Sequence, residues 1–288
     1  MSVVECIDAT EDDKMSCIPK VQRLFELPHY EQRSEEWFAK RLVSVNSSEA
    51  ASLHEDSCRP FDSRKELFCK KINKGKEFKG NKFTEHGVLN EPIATEKYAE
   101  VTGEKVFLFG LLPHHSIDRI ACSPDAITAS GRVVEIKCPF SRKITSEVPP
   151  HYMPQLQHLM DCLDLEVCDF VQFRPETFWS VEEFVITVVH RDRVWFAEHL
   201  RRINIFWKQV DEYKECGKAY FDVEEFVSNR KEGFQPRKAV NTKLLPAKLQ
   251  TLLIDPNDFM DEHGNININV NSNVNSTQSE CLLSPSDF

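Results

Sequence analysis

Residues 123–137 constrain this chain more than any other stretch. Ser123-Pro124-Asp125 is followed ten positions later by Glu135-Ile136-Lys137. The run Val133-Val134-Glu135-Ile136-Lys137 alternates as a strand does, and Ala129-Ser130-Gly131 supplies a hairpin turn between 125–128 and 132–137. A period of two sends Glu135 and Lys137 to one face, and the hairpin lets the Asp125 carboxylate converge with that of Glu135. Two carboxylates side by side repel unless a cation lies between them, and oxygen ligands of this kind suit Mg²⁺ or Mn²⁺. A lysine beside such a cation can position and help deprotonate a water, while the cation lowers that water's pKa and stabilises charge at phosphorus. An edge strand with solvated charges accounts for Glu-x-Lys alone. It does not account for Ser-Pro-Asp at hairpin distance as well. The expected chemistry is phosphodiester hydrolysis.

Around this hairpin the periodicities alternate between helix and strand. Ser34 is placed to cap a helix over 34–41, and a second helix begins near Ser47. A basic amphipathic helix is expected over 62–74. A longer one is expected over 84–102, with apolar Val88, Leu89, Ile93, Ala94, Tyr98 and Val101, a kink or restart at Pro92 and a stop at Gly103. Strands are expected at 105–109, 117–122, 125–128 and 132–137, a helix at 151–164, strands at 166–173 and 182–189, and a long helix at 191–215. This order predicts an α/β fold, a central mixed β-sheet flanked by helices. The expected nuclease domain spans 21–254. The acidic residues 1–20 are read as disordered, and the Asn-rich 255–288 as a low-complexity tail ending in a frayed Leu-Leu-Ser-Pro-Ser-Asp-Phe.

Charge sharpens the reading. The formal net charge of −10 is concentrated at the ends, −5 over residues 1–36 and −6 over 255–288, which leaves +1 for the rest. Residues 59–82 carry nine Lys or Arg against three acids, a cluster able to neutralise backbone phosphates. No apolar run approaches the roughly 18 residues of a membrane span, and the acidic N-terminus has no export segment. The ten cysteines contain no Cys-x-x-Cys pair, which favours reduced thiols. A soluble intracellular protein is expected, in cytoplasm or nucleus, or in a viral replication compartment.

The motif resembles the PD-(D/E)xK nuclease pattern. Residues 121–140 resemble the active-site hairpin of lambda exonuclease and the viral recombinase nucleases called YqaJ-type or alkaline exonucleases. Trp37, Arg41 and Ser48 match the opening of that family, Gly87 and Glu91 its helix, and Tyr152-Met153-Pro154-Gln155-Leu156-Gln157 its later helix. The resemblance implies a restriction-endonuclease-like core. It implies Asp125, Glu135, the Ile136 carbonyl and Glu91 as ligands of Mg²⁺ (or Mn²⁺), Lys137 as the catalytic lysine, and Gln155 and Gln157 near the nucleophile. Arg41 and Ser48 would grip a 5′-terminal phosphate, which a planar five-donor guanidinium suits. The implied activity is 5′-to-3′ digestion of double-stranded DNA ends, leaving 3′ single strands for recombination, repair or replication. A homotrimer ring and a single-strand annealing partner are implied with it. Where some relatives carry another acid, this chain has His115, so the number of cations stays open.

Other chemistries find less support. His151, His158, Cys162 and Cys168 fit no zinc spacing beyond one helical turn between His158 and Cys162. No cysteine set suits an iron–sulfur cluster, and neither a Gly-x-Ser-x-Gly elbow nor a phosphate-binding Gly-rich loop is present. The rival readings are a structure-specific or restriction-like endonuclease on the same fold and a non-catalytic binder of DNA ends.

Overall fold

The apolar alternations in the middle of the chain become strands, and the longer apolar periodicities cover them as helices. The computed structural model describes residues 4–5, 9–28, 30–54, 63–76, 80–177 and 181–229. These belong to one compact unit, Met1–Asn229. The Asn-rich tail, its terminal heptapeptide, residues 230–254 of the expected domain and parts of the basic stretch 59–82 lie outside the described residues.

In chain order the elements are β1 (Val4–Glu5), α1 (Glu11–Ser16), α2 (Pro19–Glu26), α3 (Glu35–Leu42), β2 (Val45–Asn46), a 3₁₀ helix (Ser47–Leu53), α4 (Arg64–Lys71) and α5 (Lys82–Thr102). There follow β3 (Val106–Phe107), β4 (Leu112–Pro113), β5 (Ile120–Cys122), β6 (Ala126–Thr128), β7 (Arg132–Lys137), a short 3₁₀ turn (Pro150–Tyr152), α6 (Met153–Cys162), β8 (Val167–Arg174), β9 (Glu183–His190), α7 (Arg193–Cys216) and α8 (Val223–Ser228). A six-stranded sheet runs β1-β3-β6-β7-β8-β9, and β2-β5-β4 form a smaller one. The large sheet is mixed: β7 and β8 are parallel, joined through α6, while β6–β7 and β8–β9 are antiparallel. The α/β class with a helix-flanked mixed sheet is therefore the one expected.

Strand alternation divides the core between the two faces of the sheet. Val133, Cys168 and Phe170 pack with Leu156, Leu159, Phe196 and Phe206 of α6 and α7. Val134, Ile136, Val171 and Phe173 pack with Ala94, Tyr98 and Ala99 of α5. On the α5 side, Tyr98 donates to Asp169 Oδ2 at 2.5 Å and Arg132 Nε donates to the same oxygen at 2.6 Å. Buried polar groups are thus satisfied between helix and sheet.

Five expectations change. Residues 9–20 are structured: Thr10 and Asp13 form a reciprocal cap at the start of α1, and Ala9 and Cys17 are buried. Helix α5 continues through Pro92 without restarting. Its buried stripe is Asn90, Ala94, Thr95, Tyr98 and Ala99, whereas Val88, Leu89, Ile93 and Val101 are exposed. Small residues let the helix lie close to the sheet, so its larger apolar residues point elsewhere, Val88 and Leu89 into the cleft described below. The segment after Ser47 is a 3₁₀ helix, and α4 is shorter than the expected 62–74. Among the described residues, no helix is long and apolar enough to cross a membrane.

His158, the strongest member of the zinc set, serves the core. Its Nε2 lies 3.0 Å from the Ala121 carbonyl, its Nδ1 3.1 Å from His199 Nε2, and His199 Nδ1 2.9 Å from His54 Nε2. A carbonyl only accepts, so His158 carries its proton on Nε2 and each ring in the row donates to the next. Burial pushes His158 down to about 4. A buried neutral imidazole binds fewer protons than the unfolded chain between that value and about 6.5, so acid destabilises the fold. We expect the unfolding free energy to fall by up to about 3 kcal/mol as pH drops from 7 toward 4 on account of His158. Urea titrations of wild type and His158→Gln measure it: the variant should show a shallower loss over that window.

Candidate active site

The β6–β7 hairpin brings the chemistry together. Ala126 pairs with Val134 and Ile127 with Val133, so one step further along this register Asp125 faces Glu135. Asp125 Oδ2 accepts the Ile136 N–H at 2.6 Å. Glu135 is 1 % exposed, and its Oε1 accepts from the Lys137 ammonium and, at 2.6 Å, from Gln155 Nε2 of α6. Residues 135 and 137 thus share a face, as a two-residue period requires. Glu135 Oε2 is buried with no hydrogen-bond partner among the described residues.

The electrostatics are those of crowded carboxylates. Burial and then repulsion from Asp125 push Glu135 up to about 8, and the same two causes raise Glu91 on α5 to about 7. Burial raises Asp125 as well, against the opposing pull of Lys137. For Lys137 burial favours the neutral amine, but the Glu135 and Asp125 charges outweigh it and raise its pKa. These charges favour the ammonium form of Lys137, which pairs with Glu135 Oε1.

Three mutually repelling oxygen donors and one orphaned carboxylate oxygen form the donor chemistry of a hard divalent cation. Among the described residues, no three His, Cys, Asp or Glu side chains already meet in ligating geometry. The ammonium of Lys137 and the amide of Gln155 take up Glu135 Oε1 instead. Asp125, Glu135 and Glu91 are the side chains that fit such an ion.

Ser48 lines the same cleft of about 1360 Å³ as Glu91, Ile136, Lys137 and Gln155. Arg41, from the last turn of α3, donates through Nη2 to Ser48 Oγ at 3.1 Å, and its guanidinium carbon lies 4.4 Å from the centroid of the Trp37 ring. Trp37 Nε1 donates to Ser123 Oγ at 3.3 Å, tying the Arg41–Ser48 pair to the Ser-Pro-Asp end of the hairpin. Spacing alone did not reveal that bridge. Burial lowers the Arg41 pKa, and the Glu49 carboxylate opposes the shift.

Gln157 is not brought to the cleft. Its Nε2 donates to the His190 carbonyl at 2.9 Å and its Oε1 accepts from Asp192 N–H at 2.7 Å. Two residues along a helix rotate by about 200°, so Gln155 and Gln157 cannot face one site. Gln157 clamps the β9–α7 turn. Gln157→Ala should cost about 1–3 kcal/mol by removing two part-buried hydrogen bonds, with cleavage of DNA retained under conditions where the variant is folded. Thermal melts and cleavage rates at 20 °C check this pairing.

The cleft also gathers Arg33, Phe38, Phe83, Phe140, Arg142 and Tyr152. Sequence reasoning gave none of them a role, because they come from separate turns and helix ends without a shared period. Arg142 is held by Gln172 Oε1 at 2.8 Å, and Lys137 Nζ lies 5.4 Å from the Tyr152 ring.

The family model for the YqaJ-like viral recombinase domain matches residues 36–166. An uncharacterized protein of Acanthamoeba polyphaga mimivirus is 31% identical over 178 residues, 56% of this chain and 32% of that protein. The match thus spans about a third of that curated relative. The alkaline exonuclease of Laribacter hongkongensis superposes with a TM-score of 0.55 at 28% identity, covering 63% of this chain and 95% of the other. The same enzyme in complex with dAMP gives 0.52 at 28% identity, with the same coverage. The YqaJ-like stretch matched by the family model therefore contains the whole hairpin, Arg41, Ser48, Glu91 and Gln155, and the chain is similar in fold to an alkaline exonuclease.

Proposed function

We propose that the YqaJ-like domain is a divalent-cation-dependent exodeoxyribonuclease that digests double-stranded DNA from 5′-phosphorylated ends in the 5′-to-3′ direction. The observation that carries this reading is one cleft lined by Glu91, Ile136, Lys137 and Gln155 and by Ser48, whose hydroxyl accepts from Arg41. Asp125, Glu135 and Glu91 would hold Mg²⁺ or Mn²⁺, with the Ile136 carbonyl beside them. When bound, the ion supplies Lewis-acid stabilisation and a more acidic water.

The protein's own groups do the rest. Lys137 positions the attacking water and offsets charge developing on the phosphoryl oxygens. Gln155 fixes the Glu135 carboxylate through Oε1, which leaves Oε2 for the ion. Arg41 and Ser48 donate to a terminal phosphate. A phosphomonoester carries up to one charge more than an internal diester, so a cationic pocket there rewards ends over interior positions. The products would be mononucleotides and 3′ single strands for recombination, repair or replication. A trimeric ring around DNA, a single-strand annealing partner and action in an intracellular viral replication compartment belong to the same reading.

End-labelled duplexes bearing 5′-phosphate or 5′-hydroxyl, and a covalently closed circle, test it with and without Mg²⁺. The expected result is Mg²⁺-dependent release of mononucleotides, fastest from 5′-phosphate ends, with the circle intact. Cutting of the circle would instead make the domain an endonuclease, and binding without cleavage would make it an end-binding factor.

A further inference from the structure

Beneath the Arg41–Ser48 pair lies a buried charge network. Lys71 comes from the basic helix α4, whose cationic face the sequence assigns to solvent or to DNA phosphates. It is only 1 % exposed. Its Nζ donates to Glu49 Oε2 at 2.7 Å and to the Arg41 carbonyl at 2.8 Å. The same Glu49 oxygen accepts from the Asn46 backbone N–H at 3.1 Å and from Asn46 Nδ2 at 3.0 Å. Asn46 Nδ2 also donates to the Arg41 carbonyl at 3.2 Å. The network therefore joins the end of α3, which carries Arg41, to the 3₁₀ helix, which carries Ser48.

We infer that Glu49 and Lys71 are positioning residues that set the net charge and geometry of the terminal-phosphate pocket. The inference rests on the reading of Arg41 and Ser48 as that pocket. Arg41, Lys71 and Glu49 together carry a net +1, because Glu49 offsets the Lys71 charge packed under the pocket. Burial alone would raise the Glu49 carboxyl, but Lys71 and Arg41 outweigh it and hold it at about 2, while burial lowers Lys71 against the pull of Glu49; the 2.7 Å contact joins the two as an ion pair. A buried pair is a poor source of stability compared with apolar packing. A role in the charge and orientation of the pocket gives it a function.

Charge arithmetic supplies the test. The readout is the ratio of kcat/KM on 5′-phosphate ends to that on 5′-hydroxyl ends, measured with the full chain and Mg²⁺. Lys71→Met takes the net charge to zero, and the ratio should fall about tenfold, as for one charge removed at partly screened range. The double variant Glu49→Gln, Lys71→Met leaves no orphaned charge and restores +1, so its ratio should return to within about threefold of wild type. A purely structural pair predicts the opposite order, with the double variant as impaired as the single one or more so, and that result overturns the inference. An unchanged ratio in Lys71→Met overturns it too. Should Lys71→Met fail to fold, Glu49→Gln takes its place: a ratio at or above wild type is expected, and a fall of about tenfold contradicts the inference. A wild-type enzyme indifferent to the end group overturns the pocket reading itself, and this inference with it. Discrimination in wild type that is lost in Arg41→Ala but kept in Lys71→Met sinks the inference alone.

Discussion

Lys137→Met and Glu135→Gln should each lower single-turnover DNA cleavage by about 10³-fold or more, while affinity for duplex ends changes only a few-fold. Glu135 is buried, carries an oxygen with no partner among the described residues and is pushed up to about 8 by burial and Asp125. Such a group is maintained at a cost to folding, and chemistry is the return for it. Methionine replaces the Lys137 ammonium with an apolar group of similar length, so packing is largely kept while the charge beside the phosphoryl group is lost. Rapid-quench cleavage and fluorescence anisotropy separate the two effects. Near-normal turnover in either variant removes the hairpin from the reaction. Equal loss of binding and cleavage points to a damaged fold.

The second large effect concerns ends. Arg41→Ala should reduce kcat/KM on 5′-phosphorylated duplexes by about 100-fold through loss of a charge-assisted contact, collapsing the preference over 5′-hydroxyl ends. Arg41 is preoriented: it donates to Ser48 at 3.1 Å and stacks over Trp37, whose indole N–H reaches Ser123. Preorganisation of this kind makes the guanidinium hard to replace, so Arg41→Lys should recover only part of the loss. Proportionate loss on both kinds of end would mean that Arg41 supports the fold or general DNA affinity instead.

Sequence reading succeeded where the relevant groups lie within one local repeat. Asp125, Glu135 and Lys137 sit on a single hairpin, so period and turn length alone bring them together. Arg41 and Ser48 are only seven residues apart. It failed where long-range packing decided. Gln157 belongs to the same motif as Gln155, and its partners, His190 and Asp192, lie more than 30 residues away in sequence. Lys71 looked like part of a solvated basic face because its partner, Glu49, is 22 residues away in sequence. The apolar side chains of α5 suggested a core face, yet close packing on the sheet selected Ala94 and Ala99 and left Leu89 72% exposed at the cleft. The acidic composition of the first residues concealed a capped helix, since a Thr–Asp cap uses the very residues that suggest disorder.

The central claim is that Asp125, Glu135 and Glu91 share a divalent cation. Mn²⁺ titration followed by electron paramagnetic resonance tests it most directly, because it reads occupancy without requiring turnover. Wild type and Gln157→Ala should both bind Mn²⁺, whereas Glu135→Gln and Asp125→Asn should bind it at least about tenfold more weakly. Equal Mn²⁺ binding by all four proteins would contradict the account.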